Sequence, residues 1–215
     1  MNNIYLGRIV AVAMTPSGAP AALYRVSSRS FPNRVAKVFD NGMRVAILPK
    51  PGHEADVQKN PYIAYNCARI ARGMLVLTNG SHTDPIAEKI AMGMPVRDAL
   101  ALSLLAMDYE KDQFNTPRIA AVTDPEAKVG WLATVRANGL DVRSFPLQPG
   151  SILHLSTYEH DVPQAERVSA FDADTAQDAC EFVLRRGAFA SFSNPVTAVA
   201  AVCTGSTCQI AIQDA

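Results

Sequence analysis

Short β-rich runs parted by turns fill the first 78 residues, and connections this short can only join antiparallel strands. Residues 4–14 (IYLGRIVAVAM) and 21–27 (AALYRVS) flank TPSGAP, whose Pro16, Gly18 and Pro20 punctuate a turn, so an opening hairpin is expected. Residues 34–39 and 43–48 flank DNG at 40–42, a second hairpin signal, and strand-like runs continue at 62–70 and 74–78. The period then changes. Ile86, Ile90 and Met94, followed by Leu100, Leu104 and Leu105, recur at helical spacing, and Pro95 after Gly93 should divide this block into two helices. Strand patterns return at 118–123, 130–136, 140–146 and 151–158. A third helix is expected from Thr175 to Arg186, with Gly187 as its stop, before closing strands at 196–203 and 208–212. Strands in runs with helices inserted in blocks argue for an α+β fold, antiparallel sheets covered by helices, in one domain spanning 1–215.

At 215 residues a chain can bury roughly 70% of the surface it exposes when unfolded, so no metal or disulfide is needed to hold it. Lys+Arg 20 balances Asp+Glu 20, which disfavours non-specific nucleic-acid binding, a mode that requires a basic surplus. The segment MNNIYLGRIVAVAM lacks a basic leader and carries Arg8 inside its apolar stretch. No apolar run approaches the ~20 residues of a membrane span, so a soluble, cytoplasmic protein with no membrane partner is expected. In that compartment Cys67, Cys180, Cys203 and Cys208 should be free thiols. Cys203 and Cys208 nevertheless flank TGST in an expected hairpin that could bring them close enough to oxidise.

Four polar clusters could carry chemistry. YRVSSRSFPNR at 24–34 interleaves Arg25, Arg29 and Arg34 with Ser27, Ser28 and Ser30, a set of donors suited to a phosphate; the bland alternative is a solvated edge strand with a Ser-rich turn. NPYIAYNCAR at 60–69 offers Tyr65, Asn66 and Arg69, with Tyr65 and Cys67 on one face of a strand and Asn66 on the other, although a tyrosine there more often only packs. NGSHTDPI at 79–86 turns into a helix, and His82 and Asp84 are as readily capping residues as ligands. DYEKDQFNTPR at 108–118 sets Glu110 beside Lys111, either the solvated end of a helix or an acid/base pair. No HExxH pattern or second nearby histidine supports a metal.

Together with YLGR at 5–8, these four clusters resemble the archaeal-type IMP cyclohydrolase family. The resemblance implies a four-layer αββα sandwich similar to the N-terminal-nucleophile hydrolases, two stacked antiparallel sheets with helices outside. It also implies closure of the second purine ring, from 5-formamidoimidazole-4-carboxamide ribonucleotide (FAICAR) to IMP with loss of water, without cofactor or metal, in a homo-oligomer. By that likeness Arg25, Ser27, Arg29 and Arg34 would hold the 5′-phosphate or frame the pocket, and Tyr65, Asn66 and Arg69 would line the base, Tyr65 as proton donor. His82 and Asp84 would contact ribose or base, and Glu110 would be the acid/base, biased by Lys111, with Asp112 its substitute. Two rivals stand beside this reading. A true N-terminal-nucleophile amidohydrolase needs an exposed Ser, Thr or Cys, which Met1, Asn2 and Asn3 do not supply unless the chain cleaves itself at Gly80–Ser81 or Gly150–Ser151. A catalytically silent purine-nucleotide binding protein would differ only in turnover.

Overall fold

The computed structural model describes residues 4–215. In chain order its strands and helices are β1 (Ile9–Met14), β2 (Pro20–Ser27), β3 (Arg34–Phe39), β4 (Arg44–Pro49), α1 (Asp56–Lys59), β5 (Tyr65–Ala71), β6 (Met74–Thr78), α2 (Thr83–Ala91) and α3 (Val96–Met107). There follow β7 (Arg118–Asp124), β8 (Val129–Arg136), β9 (Gly139–Pro146), β10 (Ser151–Ser156), β11 (Val168–Ala170), α4 (Ala176–Arg185), β12 (Pro195–Thr204) and β13 (Thr207–Asp214).

The strands form two antiparallel sheets, one of six in the order β11-β10-β1-β2-β12-β13 and one of seven in the order β3-β4-β5-β6-β7-β8-β9. Alternation along β1 and β2 explains why neither face of the smaller sheet is wet. Val10, Val12, Tyr24 and Val26 point toward Val45, Ile47, Leu75, Leu77 and Ile119 of the other sheet. Ile9, Ala11, Ala13 and Leu23 point the opposite way, onto Ala176, Ala179, Phe182 and Val183 of α4. The seven-stranded sheet repeats the scheme with Val76, Ala120 and Val122 beneath Ile86 and Ile90 of α2 and Leu100 and Leu104 of α3. Three stacked cores therefore separate four layers, helix, sheet, sheet, helix, and the expected α+β sandwich is the observed one.

Local chemistry places the breaks. Thr175 caps α4 by accepting from the Asp178 amide at 3.1 Å, and Gly187 leaves it at φ +51°. In the β3–β4 hairpin Asn41 and Gly42 take φ +53° and +88°. Some expectations need correction. Leu105 is 70% exposed, because one residue along a helix turns about 100° from buried Leu104. The opening strand begins at Ile9 rather than at residue 4, and Tyr62 belongs to a 3₁₀ turn, Pro61–Ile63, whose amide at Tyr62 is held by the Asn60 side chain at 2.8 Å. The hairpin register sets Cys203 opposite Cys208, and a disulfide joins them, which corrects the reading of four free thiols; Cys67 and Cys180 are free and buried. Among the described residues, no helix is long and apolar enough to cross a membrane.

Candidate active site

At one end of the sandwich the sheets part around a cavity of about 480 Å³, a size suited to a small-molecule ligand. Its wall is built mostly from loops and element ends: Tyr5, Gly7 and Arg8 before β1; Ser27, Ser28, Ser30, Phe31 and Arg34 from the end of β2 to the start of β3; Lys59–Ile63 from the end of α1; Glu110, Asp112, Gln113, Phe114 and Thr116 before β7; and Tyr158 after β10. The early end of β1 is what admits Arg8. Gly7 takes φ +69°, and a Cβ on it would lie 2.1 Å from Thr157 Oγ1 and 2.8 Å from the Tyr158 ring, so only glycine lets this segment pass so close to the chain after β10. The Arg8 amide then donates to Thr157 Oγ1 at 3.1 Å, and its side chain is turned inward.

Glu110 is the most deeply placed acid, 1% exposed, and it accepts from Arg8 Nη2 at 2.9 Å through Oε2. Oε1 is buried with no hydrogen-bond partner among the described residues. Burial raises the Glu110 carboxyl above the ordinary carboxylate range; the Arg8 charge opposes the shift without cancelling it. Arg8 loses stability as a cation by burial, but the Glu110 carboxylate and the buried Tyr65 and Tyr24 phenols outweigh that and raise it. A carboxyl held above its ordinary range and anchored on a fixed guanidinium can give a proton and take one back.

The segment 108–118 folds around this acid. Asp108 ends α3 at φ +56°, the Glu110 amide donates to the Thr116 carbonyl at 2.9 Å, and Arg118 Nε donates to the Asp108 carbonyl at 2.8 Å, tying the ends of the loop together. Asp112 serves the loop itself: its carboxylate accepts from the Phe114 and Thr116 amides and from Thr116 Oγ1 at 2.7 Å. Lys111 does not bias Glu110 as expected. It is 57% exposed and salt-bridged to Asp108 at 2.5 Å, so the partner of the buried acid is Arg8 instead.

The other sequence candidates divide by strand face. Ser27 and Arg34 line the cavity, Arg34 held to the Phe31 carbonyl through Nε at 3.0 Å rather than through its terminal fork. Arg29 reaches it indirectly, over the Tyr5 ring at 3.9 Å. Tyr65 lies in the core between the sheets, its hydroxyl 2.6 Å from that of Tyr24; burial raises its phenol, and the charges of Arg34 and Arg8 pull against that. Arg25 is a correction. Its neighbour Tyr24 takes the inter-sheet face, so Arg25 points beneath α4, where it donates to the carbonyls of Val183, Leu184, Phe189, Phe192 and Ser193. Asn66, Arg69 and Asp84 do meet, but elsewhere. A bulge in β5 turns both Asn66 and Arg69 to the outer face of the larger sheet, where both donate to Asp84, at 2.9 and 3.2 Å. His82 is buried behind the cavity at the start of α2, with Nε2 2.9 Å from the Ile119 carbonyl; burial, then the Arg118 charge, lowers it to about 3 and keeps it neutral.

Sequence reasoning left Arg8, Lys59, Thr116 and Tyr158 out of the site, and only Arg8 carried a signal, a charge after a glycine inside an apolar run. Among the described residues no three His, Cys, Asp or Glu side chains come together as a metal site would need.

The cavity thus sets a buried carboxyl on a guanidinium, among serines and Arg34. Comparison with known proteins narrows the class. A family model described as IMP cyclohydrolase-like protein matches residues 5–207, and this chain belongs to that family. Proteins named IMP cyclohydrolase from Methanosphaera stadtmanae and Methanocella arvoryzae are each 48% identical to it, over 92% of this chain and 94% and 92% of their own lengths. The one from Methanocaldococcus jannaschii is 41% identical over 93% of this chain and 94% of its own.

Proposed function

We propose that this protein closes FAICAR to IMP with loss of water, and that the whole chain, 1–215, is one catalytic domain, because the cavity draws on loops from both sheets. The observation that carries the reading is Glu110, a buried acid with a raised carboxyl, opening onto a cavity rimmed by serines and Arg34. In the reaction the carboxamide nitrogen bonds to the formyl carbon, and the formyl oxygen leaves as water with one hydrogen from the carboxamide nitrogen and one from the formamide nitrogen. Both reacting groups sit on one ring, so most of the entropy of bringing them together is already removed, and the protein has to fix their rotamers and move two protons.

Protonated Glu110 supplies the acid at the oxygen, and its carboxylate then accepts the proton released from nitrogen, while Arg8 holds the group in place and balances its charge. Tyr65 stays a phenol at neutral pH, paired with Tyr24 and in the field of Arg34 and Arg8; as second donor it gives the other proton to the leaving oxygen and is reprotonated from the second nitrogen. Ser28, Ser30 and Arg34, with Lys59 at the rim, suit the 5′-phosphate, and the Tyr5 and Tyr158 rings, 5.8 Å apart, wall the other side. The test is ultraviolet monitoring of FAICAR with purified protein and no folate or divalent ion. The spectrum of IMP should develop, and an unchanged FAICAR spectrum over many times the spontaneous half-life would overturn the reading.

A further inference from the structure

The chain leaving β10 makes one compact turn, and that turn carries part of the cavity wall. From Ser156 to His160 it is closed on itself. The Ser156 amide donates to the His160 carbonyl at 2.9 Å, the Ser156 hydroxyl and the His160 amide both donate to the Tyr158 carbonyl at 2.6 Å, and Glu159 takes φ +61°. The turn is also tied to the segment before β1, where the Thr157 and Tyr158 amides donate to the Arg8 and Leu6 carbonyls at 3.0 and 3.2 Å. From it the Tyr158 ring reaches the cavity, stacked on Tyr5, edge-on to Phe114 at 6.5 Å, with its hydroxyl 3.1 Å from Thr116 Oγ1.

His160 closes the other end of the turn, outside the cavity wall. Its ring lies edge-on to Phe192 at 6.2 Å, and its Nδ1 is 3.0 Å from Nε2 of His154, a β10 residue only 5% exposed and itself packed on Phe189 and Phe192. One proton serves that contact, and the rest of the His154 ring says whose it is. His154 Nδ1 is buried with no partner among the described residues, and an N–H in that position is a rarer orphan than a lone pair, so the proton sits on Nε2 and His154 donates to His160. Acceptance by His160 is therefore conditional. Protonated on Nδ1, it would set a second donor against the His154 N–H, and the bond would be lost.

We propose that His160 is a positioning residue for the substrate wall: by accepting from His154 it holds the 156–160 turn, and with it Tyr158, in the arrangement that binds the nucleotide, and it releases that turn when protonated. The proposal rests on the reading of the cavity as the FAICAR site given above. His160 acts through Tyr158 and does not touch substrate. The groups that bear on it are His154 from β10, Arg167 from the segment before β11 and Glu159 from its own turn, while Phe192, from the segment after α4, brings no charge. Burial first, then the Arg167 charge, lowers His160 from the ordinary histidine value of 6.5 against the pull of Glu159. The latch is thus closed at neutral pH and opens on the acid side of 6.5.

The test follows the histidine and tyrosine ring resonances of the ligand-free, full-length protein by NMR as pH is lowered, with His160→Asn and Tyr158→Phe identifying them. In the parent the Tyr158 resonances should move with the same midpoint as the His160 ring. His160→Asn places an amide oxygen close to where Nδ1 stood and does not titrate, so Tyr158 should keep its neutral-pH position through that range. His160→Leu removes the acceptor. At neutral pH it should displace the Tyr158 resonances and raise KM for FAICAR about threefold to tenfold, the worth of one hydrogen bond, with kcat within about twofold, and His160→Asn should restore KM. Tyr158 resonances that stay still while His160 titrates in the parent would overturn the proposal, a result that needs no variant to fold well. So would a His160→Asn protein that matches His160→Leu in ring positions and KM. Because the ring titration needs neither ligand nor turnover, it is separate from failure of the parent to close FAICAR, which would count against the proposed reaction instead.

Discussion

Arg8 and Arg25 are both interior arginines, and the register of β1 on β2 brings them within a residue of each other, since Ile9 pairs with Arg25. Their surroundings differ. Arg25 is enclosed by backbone carbonyls, neutral acceptors that satisfy its donors without offering a counter-charge, and burial lowers it to about 10. Arg8 meets a carboxyl and is held charged. Each region also buries a neutral histidine. His154, edge-on to Phe189, tilted against Phe192 and with Nε2 3.0 Å from His160 Nδ1, belongs to the Arg25 side, and His82 to the Arg8 side. The same two residue types thus close a scaffold in one place and surround a buried acid at a cavity in the other. The difference lies in what faces them: carbonyls close a network, whereas an acid with one free oxygen leaves it open to a substrate.

The sharpest way to break this comparison is at Glu110. Glu110→Gln keeps the shape and removes the titrating group, so kcat for FAICAR closure should fall by roughly 10²–10⁴ with little change in IMP affinity. A fully active Glu110→Gln beside an inactive Asp112→Asn would move the proton to the loop-forming acid. On the scaffold side, Arg25→Met strands buried carbonyls and should cost on the order of 3 kcal/mol in urea unfolding, while the folded fraction binds IMP as the parent does. Loss of IMP affinity at unchanged stability would return Arg25 to the site. Arg34→Ala should weaken nucleotide binding by about 1.5–3 kcal/mol and leave the matching nucleoside nearly unaffected, as calorimetry with both ligands would show.

The histidines sharpen the comparison by treating both regions alike. His82 and His154 are each lowered to about 3 by burial, from an unfolded value of about 6.5. Between those values the unfolded chain binds more protons, so stability is complete above about pH 6.5 and is lost as pH falls toward 3, by up to ~1.4 kcal/mol per unit for each histidine. His154→Phe should remove one proton's share of that slope in urea midpoints measured from pH 7 to 4. An unaltered slope would mean that His154 is already protonated in the fold.

How far the sequence could be read follows from the same contrast. Hairpins, the two-helix block and the capped α4 were legible because each rests on local chemistry, a glycine at positive φ, Pro95 after Gly93, Thr175 at an N-cap. Burial of Glu110 was not, because a charged stretch after a helix looks the same whether the loop folds inward or stays in water, and what pulls it in is Arg8, a hundred residues upstream. Arg25 illustrates the opposite: its motif has the look of one polar cluster, although strand alternation after Tyr24 already sends it to the other face. Asn66 and Arg69 share a face only because of the bulge in β5, which no periodicity announces.

The order of strands has a kinetic consequence. Every neighbour in the seven-stranded sheet is also the next strand along the chain, so it can zip up in chain order, its one long connection, β6 to β7, being filled by α2 and α3. The six-stranded sheet must instead bring β10 and β12 back to β1 and β2 across that whole intervening stretch, and its assembly carries the larger closure entropy. Glu110 is made with the first sheet and Arg8 with the second. During refolding, β-structure should therefore be gained before ring-closing activity, and the acid should pass through a stage in which it is solvated and ionises like any surface carboxylate until the last strands dock and bury it.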